Sequence, residues 1–502
     1  MNPSLKILFA VISGVAFALA FPDVAAGWLA FIALAPLLIA ITTTERTRHA
    51  FLLGWLAHTI AWLIMVPWVI RVMSHYGGLP YAAGVAIFGA MAAYLGLYGG
   101  LFAIIVHRIR PRKDFGRWLL IPLAWAAVEY VRTYLLSGFP WSLIATTIVD
   151  YTSLIQIDRF AGPYLVGAMI LLPSTVIAWI ATQKPRGFPL VLVIGVHTAL
   201  ALVWWGTGLV TAKLVARPTG ARPAVAALLQ PNISQEMRWD ESSMLTIFRR
   251  MMAMTEEAIA NGASVVIWPE STVPLSYNRT EFYRDAIESI SLRHNVDIIL
   301  GSVAEDSENG MRLWNAAFLV SNGRTIGHYD KIKLVPFGEF VPMRKMLFFA
   351  QKLVHEVGEF SFGTNDRPLA GRFRYGPAIC YEIVFPQITR TQIRNGANVL
   401  VTITNDAWYD GTSAPRQHLN QARLRAVEGD RYLLRAGTTG ISAFIDPSGR
   451  IRESIPMGRA GIIYARFQEK STVTPYVRFG DWFAWVAMVA VGVGWWRGRG
   501  RG

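Results

Sequence analysis

Three stretches of the chain end an apolar run with a residue able to do covalent chemistry. Val265-Val266-Ile267-Trp268-Pro269-Glu270 stops at a proline and then presents a carboxylate. Tyr329-Asp330-Lys331-Ile332-Lys333-Leu334-Val335-Pro336-Phe337-Gly338-Glu339 carries two lysines and a closing glutamate. Gly376-Pro377-Ala378-Ile379-Cys380-Tyr381-Glu382 holds Cys380, the single cysteine of the chain. Strand ends suit catalysis because a rigid sheet fixes the group while neighbouring loops admit substrate. Carboxylate, ammonium and thiol together are the set needed for acyl transfer through a thioester. A free thiol is only a few per cent ionised at neutral pH, so an adjacent carboxylate must take its proton as it attacks a carbonyl. An ammonium and a backbone N–H just after the nucleophile can then stabilise the tetrahedral oxyanion.

Taken singly, each residue has an ordinary reading. Glu270 alone is a solvated strand-end charge, and a lone Cys380 is a small buried hydrophobe. Lys331 and Lys333 are two apart and share a strand face, so chemistry does not separate them. A Cys–His pair using His418 or His328 as base stays open, although His418 falls in a helical pattern and suits a structural hydrogen bond. The histidines of this region, His294, His328, His355 and His418, lack paired ligand spacing, so no metal is expected. No glycine-rich loop opens a helix after a strand, so no nucleotide cofactor is expected either. Nucleic acid is not an expected partner.

The elements that must position these groups alternate. Strand-like runs fall at 224–230, 264–268, 297–302, 315–320, 373–380, 397–404, 439–445 and 461–467, with helical patterns at 240–261, 279–293 and 415–435. Such interleaving indicates an α/β layered domain with buried sheets. The rest of the chain is of another kind. Of the 502 residues 53% are hydrophobic and 16% charged, with a net charge of +15. Residues 1–209 hold only 19 of the charged side chains, against 62 in the other 293 positions. Apolar runs at 5–21, 27–43, 51–72, 80–106, 117–136, 163–183, 188–209 and 479–496 are candidate membrane helices, each near the length that crosses a bilayer.

Eight spans place both ends of the chain on one side. Basic residues gather at 46–48, 108–117, 184–186 and in the Arg-Gly tail, which assigns those loops to the cytoplasm and sends 210–478 to the outer, periplasmic face. The expected domains are seven spans in 1–209, a periplasmic catalytic domain in 210–478, and an eighth span with a basic tail in 479–502. Ala18-Leu19-Ala20 also resembles a cleavage site after a signal peptide, a reading that Pro22 and the next span disfavour. Glu129 and Arg132, near the end of the fifth span, are intramembrane charges of the kind that mark function unless they snorkel to the interface.

Glu270 after Trp-Pro, Lys331 before Leu-Val-Pro-Phe-Gly-Glu, and Cys380-Tyr381-Glu382 together resemble the Glu-Lys-Cys triad of the nitrilase superfamily. Within it the chain is similar to the apolipoprotein N-acyltransferase family. Supporting stretches are Gln230-Pro231-Asn232-Ile233, Asn405-Asp406-Ala407-Trp408-Tyr409, Gln417-His418, Arg425-Ala426-Val427-Glu428 and Gly138-Phe139-Pro140-Trp141. Thr438-Thr439-Gly440 departs from the pattern, where an Asn-containing variant is expected. The resemblance implies an αββα sandwich joined to an eight-span frame. It assigns Glu270 as general base, Lys331 as oxyanion-stabilising lysine and Cys380 as nucleophile, with Trp239, Glu339, Tyr381 and Glu382 in support. It further implies a monomeric enzyme of the bacterial inner membrane. A phospholipid, phosphatidylethanolamine, would donate its acyl chain through the Cys380 thioester to the α-amine of a diacylated apolipoprotein. Two other readings stand beside this one, a membrane-anchored amidase that transfers the acyl group to water, and a non-catalytic lipid transporter or binding protein.

Between Glu339 and Gly363, Met346-Leu347-Phe348-Phe349-Ala350 with Leu353, Val354 and Val357 forms an apolar stretch beside Lys345, Lys352 and His355. The alternatives are a loop over the domain's own core and a lid that dips into the outer leaflet. On the lid reading, replacing Phe348 and Phe349 with Ser slows acylation by a phospholipid more than by a soluble thioester. Equal slowing, measured as acylation rates with the two donors, excludes the lid.

Overall fold

A computed structural model of the chain describes all residues except 110–114, 137, 216–222, 240, 307–311, 337, 341–359 and 500–502. The expected lid, 346–357, lies outside the described residues. The chain divides into two compact units, one of Met1–Ser74, Leu79–Leu214 and Phe479–Gly502, the other of His75–Gly78 and Val215–Arg478. The break thus falls after Leu214 rather than at 209, because the apolar helix Phe188–Val215 runs on past that point.

The first unit is helical. Tyr81–Ile109, Pro163–Gln183 and Phe188–Val215 are long and apolar enough to cross a membrane, and Thr47–Met65 with Trp68–Tyr76 makes a fourth if that pair, bent by 56°, is one span. Other expected spans are shorter here. Residues 27–43 form a five-residue 3₁₀ turn, Gly27–Phe31, and the eight-residue helix Ala35–Thr42, while 117–136 centres on the fifteen-residue helix Leu120–Tyr134. Phe188–Val215 leaves Val191, Leu192, Leu202, Val203 and Val210 exposed, an apolar surface suited to lipid rather than water.

Glu129 and Arg132 are buried, and their partners are local. Arg132 Nη1 donates to the carbonyls of Phe139 and Trp141 at 2.8 and 2.7 Å, and the Ile144 N–H donates to Glu129 Oε1 at 2.9 Å. The two side chains lie 3.6 Å apart. The pair therefore pins Gly138-Phe139-Pro140-Trp141 and the turn after it onto the helix Leu120–Tyr134.

The second unit holds two six-stranded sheets among the described residues. In chain order the strands are β1 Ala224–Gln230, β2 Val265–Ile267, β3 Asp297–Asp306, β4 Arg312–Ser321, β5 Arg324–Asp330, β6 Leu369–Ala370, β7 Arg374–Ile379, β8 Val399–Thr404, β9 Leu433–Gly437, β10 Ser442–Ile445, β11 Ile451–Ile455 and β12 Gly461–Phe467. The sheets run β12-β1-β2-β3-β4-β5 and β11-β10-β9-β8-β7-β6. At their centres β1-β2-β3 and β7-β8-β9 are parallel.

These strands bury both faces. Leu228, Ile267, Ile299 and Leu319 of the first sheet pack with Ile379, Val401, Ile403 and Leu434 of the second. The alternate residues Leu229, Val266, Ile298 and Phe318 pack with Phe248 and Met251 of helix Met244–Ala260 and with Ile287 and Ile290 of helix Glu281–His294. Helices Pro386–Arg394 and Ala414–Gly429 cover the second sheet. The layers run helix, sheet, sheet, helix, the nitrilase-like αββα order.

Two local departures from the expected elements matter for the site. The helix expected over 415–435 ends at Gly429, where Asp430 turns left-handed with φ 51°, and β9 follows. β5 is an additional strand, set up by Asn322 and Gly323 at φ 50° and 72°, the left-handed pair of a tight hairpin turn. It ends at Asp330, immediately before Lys331.

Gly301, on β3, lets the segment after β2 lie against the sheet. A Cβ there would stand 2.6 Å from Glu270 Cα and 2.8 Å from the Pro269 carbonyl oxygen. Gly301→Ala should displace that backbone and destabilise the fold by about 1–3 kcal/mol. Thermal unfolding of the full-length protein in detergent should show a lowered midpoint.

Candidate active site

The parallel strands deliver the candidate residues to one end of the sandwich. Glu270 follows β2, Cys380 follows β7, and Asn405 follows β8, all at carboxyl ends, where open α/β sheets present ligand-facing groups. β5 is antiparallel to β4, which is antiparallel to β3. It therefore runs with β2 and delivers Lys331 to the same end.

Lys331 is 1% exposed. Its Nζ donates to Glu339 Oε1 at 2.9 Å and lies 3.5 Å from Glu270 Oε1. Burial alone would lower its pKa, but the carboxylates of Glu339 and Glu270 hold it well above the usual lysine value. Asn315, on β4, donates from Nδ2 to both carboxylates, at 2.7 Å to Glu270 and 2.8 Å to Glu339. The remaining oxygens are also met. Asn405 N–H donates to Glu270 Oε2 at 2.7 Å, and Val335 N–H to Glu339 Oε2 at 2.8 Å. An ammonium and two carboxylates thus share a buried site in which every one of these oxygens has a donor, the condition for burying charge without a prohibitive cost. Lys333, two residues on, instead places its Nζ over the Phe385 ring, 5.5 Å from the centroid. The structure separates the two lysines that chemistry alone leaves equivalent.

Cys380 is the first residue of a 3₁₀ turn, Cys380–Val384, and adopts φ 50°. A left-handed conformation at a residue with a side chain is strained, and such strain clusters at functional sites. Burial pushes the thiol well above its usual pKa, the Glu270 charge adds to this, and Lys331 opposes it. The resting sulfur is therefore a thiol within the field of both Glu270 and Lys331.

Glu382 ties this turn to the lysine segment. Its Oε2 accepts the Ile379 N–H at 2.8 Å, and Oε1 accepts the Tyr329 hydroxyl, the Ile332 N–H and the Lys333 N–H at 2.9, 2.7 and 3.1 Å. Burial pushes its pKa up to about 7, against the pull of the Ile379 amide, Lys331 and the Lys333 and Ile332 amides. Four donors on two oxygens make it a clamp between the two sheets. Tyr381 packs edge-on against Phe385 with centroids 5.0 Å apart. Trp239 closes the short helix Gln235–Trp239, and its side chain lies outside the description.

His418 does not face the thiol as a base would. Its Nδ1 lies 3.1 Å from Asp406 Oδ1, and its Nε2 lies 3.0 Å from the backbone oxygen of Cys380. His328 stands on β5 beside Asp330, 3.6 Å from its carboxylate. Asn315 escaped the sequence reading; its one signal is a polar residue at the head of the apolar run 315–320. Arg435 escaped it as well, being one charge in a stretch read as helix.

Two family models match the chain. One, described as the apolipoprotein N-acyltransferase N-terminal domain, matches residues 13–176, and the other, described as carbon-nitrogen hydrolase, matches 225–476. The apolipoprotein N-acyltransferase of Geobacter metallireducens is 36% identical over 98% of this chain and 95% of its own length. Those of Methylococcus capsulatus and Caulobacter vibrioides are 32% and 30% identical, covering 95% and 96% of this chain and 92% of each relative. With both halves matched in order, and relatives aligned nearly end to end, the chain belongs to the apolipoprotein N-acyltransferase family.

Proposed function

We propose that the protein transfers an acyl chain from a phospholipid, through a thioester on Cys380, to the α-amine of the N-terminal diacylglyceryl-cysteine of an apolipoprotein. The observation that carries this reading is the buried Lys331 held between Glu270 and Glu339 beside a thiol kept protonated.

Such a thiol attacks only if its proton leaves as the bond forms. Glu270 accepts the Sγ proton while sulfur adds to the ester carbonyl of the donor. Negative charge gathers on the carbonyl oxygen, where the Lys331 ammonium and the Tyr381 N–H stabilise it. Collapse breaks the ester C–O bond, and Glu270 returns its proton to the departing lysophospholipid oxygen. The acceptor amine then adds to the thioester and gives a proton to Glu270. The second tetrahedral intermediate expels the Cys380 sulfur, which recovers that proton. One amide forms, one ester is lost, and the enzyme returns to its starting state. Glu339 and Asn315 act by holding Lys331 and Glu270, and Glu382 by holding the nucleophile turn.

The donor is assigned as phosphatidylethanolamine giving its sn-1 chain. The family's membrane setting and the apolar helices support a bacterial inner-membrane enzyme. Eight spans and a catalytic unit facing the periplasm are proposed from the hydropathy and the loop charges, and a monomeric state is proposed with them. Membrane spans fit the substrates, since both keep acyl chains in the bilayer at a cost of about 0.8 kcal/mol per CH₂ exposed. Trp239 is proposed as a supporting, substrate-binding residue on the family resemblance.

The test uses phosphatidylethanolamine labelled in its sn-1 chain, a diacylated lipopeptide, and mass spectrometry of the products. Label should appear as an amide on the peptide amine with the unmodified protein and not with Cys380→Ala. Glu270→Gln and Lys331→Met should slow transfer by at least about a hundredfold. Label released only as free fatty acid would favour the amidase reading, and transfer by Cys380→Ala would overturn the thioester.

A further inference from the structure

Behind Cys380 lies a buried polar cluster that the reaction as written does not use. Asp406, His418 and Arg435 are each no more than 1% exposed. Arg435 Nη2 donates to Asp406 Oδ2 at 2.7 Å and lies 3.1 Å from His418 Nδ1. Asp406 Oδ1 accepts the Thr404 hydroxyl at 2.8 Å. Although burial alone would raise its pKa, Arg435 and then His418 hold the Asp406 carboxyl far below its usual value. Burial, and then the charge of Arg435, hold His418 below its usual value.

Nδ1 lies 3.1 Å both from Arg435 Nη2, which only donates, and from Asp406 Oδ1, which only accepts. The proton that matters is set on the other nitrogen, where Nε2 faces a carbonyl oxygen that can only accept. Nε2 therefore carries a proton, in the neutral ring or in the charged one. That Nε2–H points at the Cys380 carbonyl oxygen, 3.0 Å away. The C=O of Cys380 and the N–H of Tyr381 belong to one planar peptide unit. A hydrogen bond accepted at the oxygen fixes the plane and polarises the unit, which strengthens the N–H as a donor.

We propose that His418 is a positioning residue for acylation: it holds the Cys380 carbonyl and thereby aims and polarises the Tyr381 N–H toward the oxyanion. Asp406 and Arg435 hold the ring in place through Nδ1. The same bond steadies the left-handed backbone of Cys380 at the strand end. The inference rests on the thioester reading above and adds the origin of its backbone oxyanion donor.

Two reactions of Cys380 separate this role from others. Acylation by phosphatidylethanolamine passes through a tetrahedral oxyanion, whereas alkylation by iodoacetamide displaces iodide at a saturated carbon and forms none. Full-length His418→Gln, His418→Asn and His418→Leu are compared in detergent. A Gln amide nitrogen reaches the place of Nε2, whereas an Asn amide reaches only that of Nδ1. Acylation should fall about tenfold or more with Asn and Leu, and recover with Gln. Alkylation should stay near the unmodified rate in all three. Parallel loss of alkylation would make His418 a base or a general structural support, and equal acylation in all variants would leave it no role; either overturns the proposal. If Leu fails to fold, as a collapsed thermal midpoint would show, the Gln-against-Asn comparison decides alone. Absence of any acyl adduct in the unmodified chain overturns the thioester reading as well. Unchanged acylation with Asn overturns this inference only.

Discussion

One buried cation organises the catalytic unit. Moving an ammonium out of water costs several kcal/mol, and only close, well-bonded counter-charges repay it. Lys331 meets that condition because Glu270 and Glu339 both turn toward it. These three residues come from the segment after β2, the end of β5 and the loop beyond it. Neutralising Lys331 leaves two buried carboxylates without their shared counter-charge, and neutralising either glutamate removes one of the two partners that hold the ammonium. The same demand explains Asn315, whose amide hydrogens satisfy one oxygen of each carboxylate, and Gly301, whose missing side chain lets the Glu270 backbone approach β3.

The turn of Cys380, the proposed nucleophile, is held from two sides, one of them joined to this charge centre. Glu382 gathers the amides of Ile332 and Lys333 and the amide of Ile379 onto one carboxylate. The turn that carries Cys380 and the segment that carries Lys331 are therefore tied together. His418 holds the opposite face of the same turn through the Cys380 carbonyl. Such rigid seating suits a reaction in which a thiol of raised pKa must lose its proton only while attacking. A sulfur free to wander would be neither ionised nor aligned. The helical unit contributes a different property. Its exposed face along Phe188–Val215 is apolar, which matches an enzyme whose proposed donor and acceptor both keep their chains in lipid.

Much of this was legible in the amino-acid order because the informative residues are local. Proline after an apolar run places Glu270, and a lone Cys before Tyr-Glu marks Cys380. Alternating elements indicate a layered α/β domain, and the family resemblance implies its sandwich order. What stayed hidden depends on contacts between distant segments. Residue types near Lys331 do not separate it from Lys333; the family resemblance does so by the eight-residue spacing to Glu339, and the contacts that bear on it include Glu270, sixty-one residues away, and Phe385. The His418 ring nitrogens could have faced the thiol, and only the placement of Asp406 and Arg435 shows that they do not. The strand β9 was absorbed into a helical pattern because Asp430, which stops the helix with a left-handed turn, is a poor local signal. In the helical unit, apolar runs mark where chain meets lipid or packs on itself without saying which. Hydropathy therefore counts eight runs, while length and apolarity in the structure single out three helices, or four with the bent pair.

The central claim is that Cys380 carries the acyl chain between two substrates, and intact-mass spectrometry of the purified protein addresses it most directly. After mixing with phosphatidylethanolamine alone, the account predicts a mass gain of one acyl chain that hydroxylamine removes and that Cys380→Ala never acquires. A protein that shows no such adduct at any mixing time, yet still acylates the lipopeptide, would contradict it.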